Sequence, residues 1–335
     1  MNPIRIGLIG CGGIVAGHAL ALLARADAAI VGLADPSPAM VARLVARVPA
    51  LAGLPVFPSH HELLASADLD AVLVASPHTL HAEHVRAALD RGLHVLCEKP
   101  LVTDPRDGEE LIALAEARGR VLMVSYQRHC DPGYRYLKLL VAGGALGELR
   151  SVGVRIGQNW RQLTIGSWRQ DPALSGGGML MDSGSHLVDM LLWLIDRPVA
   201  RVSAALDRAG TPVDITTTAL IEFAGGLQAS LQSLGELPAS WLEEMLLVGS
   251  EGIARYHTDA QHPWAGGIVE HWRGGELVRP LELAALPGPA AHWLDVIGGS
   301  AQSELPARLG LEVARLTDAI YRAAASGQVI ELGGA

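Results

Sequence analysis

The chain has 335 residues, half of them hydrophobic and 18% charged. That length supplies about two domains with separate cores, and with only two Phe those cores must be mostly aliphatic. The formal net charge of −9, with no Lys/Arg cluster, gives no electrostatic footprint for nucleic acid or an anionic membrane surface.

Over residues 1–125, short aliphatic or β-branched runs at 4–9, 30–34, 71–75, 93–97 and 121–125 alternate with amphipathic segments at 15–26, 38–48, 80–91 and 105–118. Such runs suit strands buried on both faces of a parallel sheet. Asp104-Pro105 supplies a cap residue followed by proline at the first helical position. The alternation predicts a doubly wound α/β domain. After residue 126 the rhythm changes. A helix at 133–142 leads to a strand near 149–156, then to a loop rich in Trp, Arg and Gln. A Gly176-Gly177-Gly178 hinge opens a helix that runs to about 195. Extended segments at 199–206, 216–223, 227–234, 243–249 and 253–256 follow, then a helix at 307–325 and a short strand at 329–332. Consecutive strands with few helices predict an α+β domain over 126–335 with a mostly antiparallel sheet.

Cys11, Cys97 and Cys130 are far apart and form no CxxC. Neither a disulfide framework nor a zinc site is expected, and a reducing cytoplasm fits. Gly10-Cys11-Gly12-Gly13 interrupts any signal-peptide core, and the strongest apolar stretch, 190–195, is too short to span a bilayer. A cytoplasmic globular protein is therefore expected.

Gly10-x-Gly12 follows the first strand and opens the first helix, the context that a dinucleotide fingerprint requires. Glycine lets the backbone approach a pyrophosphate, and the helix N-terminus offers unpaired N–H groups and a positive dipole end. Val15 occupies the third fingerprint position, where a smaller residue is usual. Asp35 ends the second strand, where a carboxylate can accept from a ribose 2′-hydroxyl and repel a 2′-phosphate, which favours NAD over NADP. Within the apolar segment from 179 to 195, Asp182, His186 and Asp189 recur at i, i+4 and i+7, on one helical stripe. Such a stripe is either paired internally as a structural His–Asp cluster or faces a cleft. His60, His61, His81 and His84 show no coherent ligand spacing; they read as solvated helix positions or local contacts, and no metal is expected.

Several motifs together resemble the Gfo/Idh/MocA oxidoreductase family over nearly the whole chain. They are Gly10-Cys11-Gly12-Gly13-Ile14, the segment from Ser76 and Pro77 to His81 and Glu83, the triplet Glu98-Lys99-Pro100, the segment from Gly176 through Asp182 and His186 to Asp189, and the closing Ala319-Ile320-Tyr321-Arg322. The sequence departs from the family pattern at Val15, at His78, where Asn is frequent, and at His129-Cys130. The resemblance implies a Rossmann domain followed by a domain with a large open sheet, substrate bound between them, and a cis Lys99–Pro100 bond. It implies a cofactor set of Gly10, Gly12, Gly13, Ile14, Asp35, Ser76, Pro77, His81 and Glu98. Lys99, Asp182 and His186 are the implied catalytic residues, and Gln127, Trp160, Trp168 and Arg169 join them around the substrate.

Oxidising an alcohol requires a hydride acceptor and a base for the hydroxyl proton. Imidazole titrates near neutrality, so His186 is the expected base. Lys99 is expected to favour alkoxide character on the reacting oxygen, and Asp182 to orient the imidazole or the substrate hydroxyls. For the Trp residues, core packing competes with stacking on a polyol. The expected activity is NAD-dependent hydride transfer at a secondary hydroxyl of a sugar, inositol or related polyol, in a homodimer or homotetramer. Alternatives on the same scaffold are an NAD-dependent glycosidase that oxidises, eliminates and re-reduces, and a non-catalytic NAD/sugar-binding regulator.

Overall fold

The structure, a computed structural model, describes residues 2–259, 261–262 and 266–333. Two compact units emerge: residues 1–127 with 287–311, and residues 128–286 with 312–335. The chain thus re-enters the first unit late, a return that a single boundary at 125/126 does not contain.

The first unit is laid down as β1 (Ile4–Ile9), α1 (Val15–Leu23), β2 (Ala28–Ala34), α2 (Pro38–Arg47), β3 (Val56–Phe57), α3 (His60–Ser66), β4 (Ala71–Val74), α4 (His81–Asp90), β5 (His94–Cys97), α5 (Pro105–Arg118) and β6 (Leu122–Val124). The six strands form one parallel sheet in the order β3-β2-β1-β4-β5-β6. This is the dinucleotide-binding order, whose reversal between β1 and β4 is the switch point where ligands bind beyond the strand ends. All four β4 residues are buried, as expected for a central strand covered on both faces. Helix ends follow local chemistry. Ser37 and Asp104 cap α2 and α5, each with proline at the first helical position, and α5 ends on left-handed Gly119. The two-residue β3 and seven-residue α3 are additions to the elements legible in sequence.

The second unit holds α6 (Pro132–Ala142), β7 (Leu149–Gly157), α7 (Trp160–Leu163), α8 (Pro172–Ser175), a π-helical turn (Leu180–Gly184) running into α9 (Ser185–Ile195), then β8 (Val199–Asp207), β9 (Thr216–Phe223), β10 (Gln228–Leu234), β11 (Leu242–Gly249), β12 (Gly252–Thr258), β13 (Gly267–Arg273) and β14 (Glu276–Val278). The re-entrant segment carries α10 (Pro289–Ile297), and α11 (Ala307–Ser326) and β15 (Ile330–Glu331) close the chain. The nine-stranded sheet runs β14-β13-β12-β11-β7-β10-β9-β8-β15 and is antiparallel except at β7/β10. Burial alternates along its strands: Ala219, Ile221 and Phe223 of β9 and Met245 and Leu247 of β11 point inward. Leu220, Leu246, Ile253 and Ile268 stand exposed. One sheet face is therefore core and the other open.

A buried ionic cluster ties this unit together. Arg128 donates two hydrogen bonds to Glu243, at 3.2 and 2.8 Å, and the Tyr134 hydroxyl and Trp241 indole donate to the same carboxylate. Burial works to raise the Glu243 carboxyl, but the Arg128 charge and these donors hold it below its ordinary value. No helix among the described residues is long and apolar enough to cross a membrane.

Candidate functional site

In the first unit, the Gly10–Ile14 turn lies where β1 meets β4. Gly10 has φ +93°, and a Cβ there would fall 2.5 Å from the Ala75 carbonyl oxygen, so the turn is built for glycine alone. Gly12 has nothing within 4 Å of where its Cβ would be, and Gly13 only the Arg47 guanidinium at 3.8 Å. This backbone is open to an incoming pyrophosphate, and α1 begins with no side-chain cap on its amides. Val15 is fully buried, so the larger third fingerprint residue is absorbed into the core. Asp35 accepts from the Cys11 and Ser37 amides, both at 2.8 Å, which fixes its carboxylate beside the turn. Burial and that carboxylate push the Cys11 thiol up to about 12. The residues needed to hold NAD are present in a fitting arrangement: open glycines, an uncapped helix start and a strand-end carboxylate.

Beyond β5, Glu98-Lys99-Pro100 contains the expected cis Lys99–Pro100 bond. Glu98 is buried, with Oε1 2.7 Å from His18 Nε2. Burial opposes its ionisation, yet the His18 hydrogen bond and charge, the Lys99 charge and Ser125 hold the carboxyl below its ordinary value. His18, Glu98, Ser125 and Gln127 line a cavity of about 200 Å³ with Ile14 and the start of α10. Three of the expected residues, Ile14, Glu98 and Gln127, thus meet in one concavity. His18 and Ser125 were absent from the expected set. The one sequence signal for His18 is an imidazole within the otherwise apolar α1.

In the second unit, Asp182 and His186 are both buried on the segment that passes from the π-helical turn into α9. The Trp160 indole and the Arg169 guanidinium donate to Asp182 Oδ2 at 2.9 and 2.8 Å. Trp168, half-buried, packs its ring under Arg169 at 4.5 Å. Trp160 is almost wholly buried, so packing and anchoring, not stacking on a polyol, is its role in this structure. Asp189, three residues after His186 in α9, is paired internally. It is completely buried on His129, at 2.9 and 3.1 Å, and burial raises its carboxyl despite the histidine. For Asp189 the internally paired His–Asp alternative holds, whereas the Asp182 carboxylate meets Trp160 and Arg169.

The triple glycine is not a hinge. Gly176 caps α8 in the left-handed conformation, a Cβ on Gly177 would collide with the Tyr321 hydroxyl, and one on Gly178 with the Asp214 backbone. Buried Asp214 accepts from the Gly178 amide at 2.7 Å, the Leu180 amide at 2.9 Å and the Tyr321 hydroxyl at 2.7 Å. Asp214 and Tyr321 therefore clamp the turn that starts the Asp182–His186 segment.

The histidines of the first unit follow the local-contact alternative and not the solvated one. His60, His81 and His84 are buried, not solvated. His81, expected at the cofactor, sits with Nδ1 2.7 Å from the Pro100 carbonyl and Nε2 2.9 Å from the Ser76 carbonyl, so it braces two loops from inside. The Ser76 hydroxyl turns to His84 Nδ1 at 2.9 Å. Pro77, beside it, is half-buried at the end of the β4 loop. His60 and His84 gather with Glu83 into one cluster, where ligand spacing along the chain gave no hint of one.

A first unit of this topology, with this turn, is of the nucleotide-binding Rossmann class. The model described as "Oxidoreductase family, NAD-binding Rossmann fold" matches residues 4–126, and the GFO/IDH/MocA C-terminal domain model matches residues 134–255. The chain belongs to the Gfo/Idh/MocA oxidoreductase family. It is 28% identical over 341 residues to inositol 2-dehydrogenase 3 of Saccharopolyspora erythraea, covering 98% of this chain and 95% of that protein. It is 32% identical over 206 residues to the trans-1,2-dihydrobenzene-1,2-diol dehydrogenase of Oryctolagus cuniculus, a match spanning 61% of this chain and 60% of that one. The WlbA dehydrogenase of Bordetella pertussis, solved with NADH and UDP-GlcNAcA, superposes with a TM-score of 0.87 at 25% identity, covering 100% of both chains.

Proposed function

We propose that the protein is an NAD-dependent dehydrogenase acting on a secondary hydroxyl of a sugar, inositol or related polyol. The observation that carries this is the Asp182 anchor: it fixes Trp160 and Arg169 on the segment that also bears His186, in a chain with an NAD-binding unit. The naming of a full-length relative as an inositol 2-dehydrogenase supports the substrate class.

NAD, when bound, supplies the hydride acceptor or donor. Gly10, Gly12 and Gly13 would hold its pyrophosphate against the α1 amides, and Asp35 its adenosine ribose. The Asp35 carboxylate, fixed by two backbone amides, repels a 2′-phosphate and favours NAD over NADP. His186 takes the hydroxyl proton as general base. Lys99 stabilises negative charge as it develops on the substrate oxygen. Asp182 is a positioning residue: with Oδ2 accepting from Trp160 and Arg169, it presents the guanidinium and its stacked Trp168 to the hydroxyl-rich substrate. The exposed apolar residues on the open sheet face support association with a second copy as a homodimer or homotetramer, which light scattering measures.

The test is a panel of inositols, sugars and linear polyols with NAD or NADP, followed by NADH or NADPH absorbance. Turnover with a cyclic polyol or sugar, and tighter binding of NAD than of NADP, is the expected result. Equal affinity for the two cofactors refutes the role given to Asp35, and no turnover on any polyol or sugar refutes the substrate class.

A further inference from the structure

The histidines of α3 and α4 are not used by the chemistry above. His60 and His61 form the first turn of α3, which Ser59 caps by accepting from the Glu62 amide. Glu83 and His84 lie in the first turn of α4. Ligand atoms of His60, Glu83 and His84 all lie within 4.8 Å of one another. The His60 ring centroid is 3.9 Å from that of His61 and 4.1 Å from that of His84. Stacking three imidazoles beside one carboxylate needs a physical reason, since nothing in helix packing asks for it.

We propose that His60, Glu83 and His84 form a Zn²⁺ site, with solvent taking the fourth coordination position. The spacing fits. Two ligands held about 2.1 Å from a tetrahedral ion are about 3.4 Å apart. His60 Nε2 is 3.5 Å from Glu83 Oε1. His60 Nε2 is also buried with no hydrogen-bond partner. A buried ring nitrogen left in that state is costly, and a metal ion satisfies it. His84 has the outer support typical of a ligating imidazole: its Nδ1 is hydrogen-bonded to the Ser76 hydroxyl at 2.9 Å, which orients the ring and leaves Nε2 for an ion. Glu83 is more than half exposed, giving the ion a route from solvent. Two imidazoles and one carboxylate suit a borderline cation and not Mg²⁺ or Ca²⁺, which prefer all-oxygen shells. The bound ion would cross-link the starts of α3 and α4.

The test is calorimetric titration of the chelator-treated full chain with ZnCl₂, alongside Co²⁺ binding followed by visible absorption. The expected result is saturable binding of one equivalent, with the strong visible bands of four-coordinate Co²⁺. Because Glu83 is largely exposed, Glu83→Gln should fold normally. It should weaken Zn²⁺ binding at least about tenfold, the low end of what losing even an outer-shell partner costs. The proposal is overturned if the native chain shows no saturable one-equivalent binding, or if Glu83→Gln binds Zn²⁺ as tightly as the native chain.

Discussion

Replacing Asp214 by asparagine tests whether that carboxylate holds the turn at Gly176–Gly178. The change keeps the side-chain volume and removes one acceptor atom and the charge. Oδ1 accepts from the Gly178 amide and the Tyr321 hydroxyl, and Oδ2 from the Leu180 amide and, at 3.4 Å, from the Thr217 hydroxyl, which can turn to accept instead. The asparagine would keep its oxygen toward the first pair and turn its NH₂ toward Leu180, leaving that amide facing a donor. A stranded buried amide costs about 1–3 kcal/mol, and the two remaining bonds lose their charge assistance, for a total of about 2–4 kcal/mol. At about 1.4 kcal/mol per tenfold, hydrogen exchange in a peptide covering residues 176–186 should quicken roughly 30- to 1,000-fold. Tyr321→Phe removes one donor but leaves both backbone amides bonded, so its effect should be smaller. Exchange in that peptide unchanged by Asp214→Asn would refute the clamp.

Asp35→Ala should narrow the difference between NAD and NADP affinities measured by titration, mainly by weakening NAD; an unchanged ratio would remove Asp35 from cofactor choice. Glu243→Gln breaks one side of a buried ion pair, so unfolding by urea should show a loss of about 3–5 kcal/mol near neutral pH. Glu243 has a depressed folded-state carboxyl, so its stabilisation is fully present above its ordinary value of 4.5 and is lost as pH falls through the lower folded value. Native stability should therefore fall more steeply in acid than that of Glu243→Gln, and parallel pH profiles for the two would contradict the assignment.

The Rossmann unit was legible because parallel strands covered on both faces leave aliphatic runs such as residues 71–74. The fingerprint was legible because Gly10 must occupy a positive φ beside the Ala75 carbonyl. Two-residue β3 left no periodicity to read. The return of residues 287–311 was not visible because long-range contacts define it, among them the Val124 amide on the Leu305 carbonyl and Gly310 packed against Leu101 and Val124. Spacing correctly placed Asp182, His186 and Asp189 on one segment, and could not show that Asp189 pairs with His129, 60 residues earlier in the chain. Asp214 carried no signal, since its purpose rests on glycines 36 residues earlier in the chain. The histidine cluster was hidden in the same way: its members sit at the starts of two helices separated by a strand and a loop.

The central claim is that His186 removes the hydroxyl proton during NAD-dependent oxidation. With whichever polyol or sugar gives turnover, kcat of His186→Ala is compared with its NAD dissociation constant. A general base contributes about 10²- to 10⁴-fold, so kcat should fall by that factor while NAD affinity stays at the native value. A variant that retains full kcat would contradict the account.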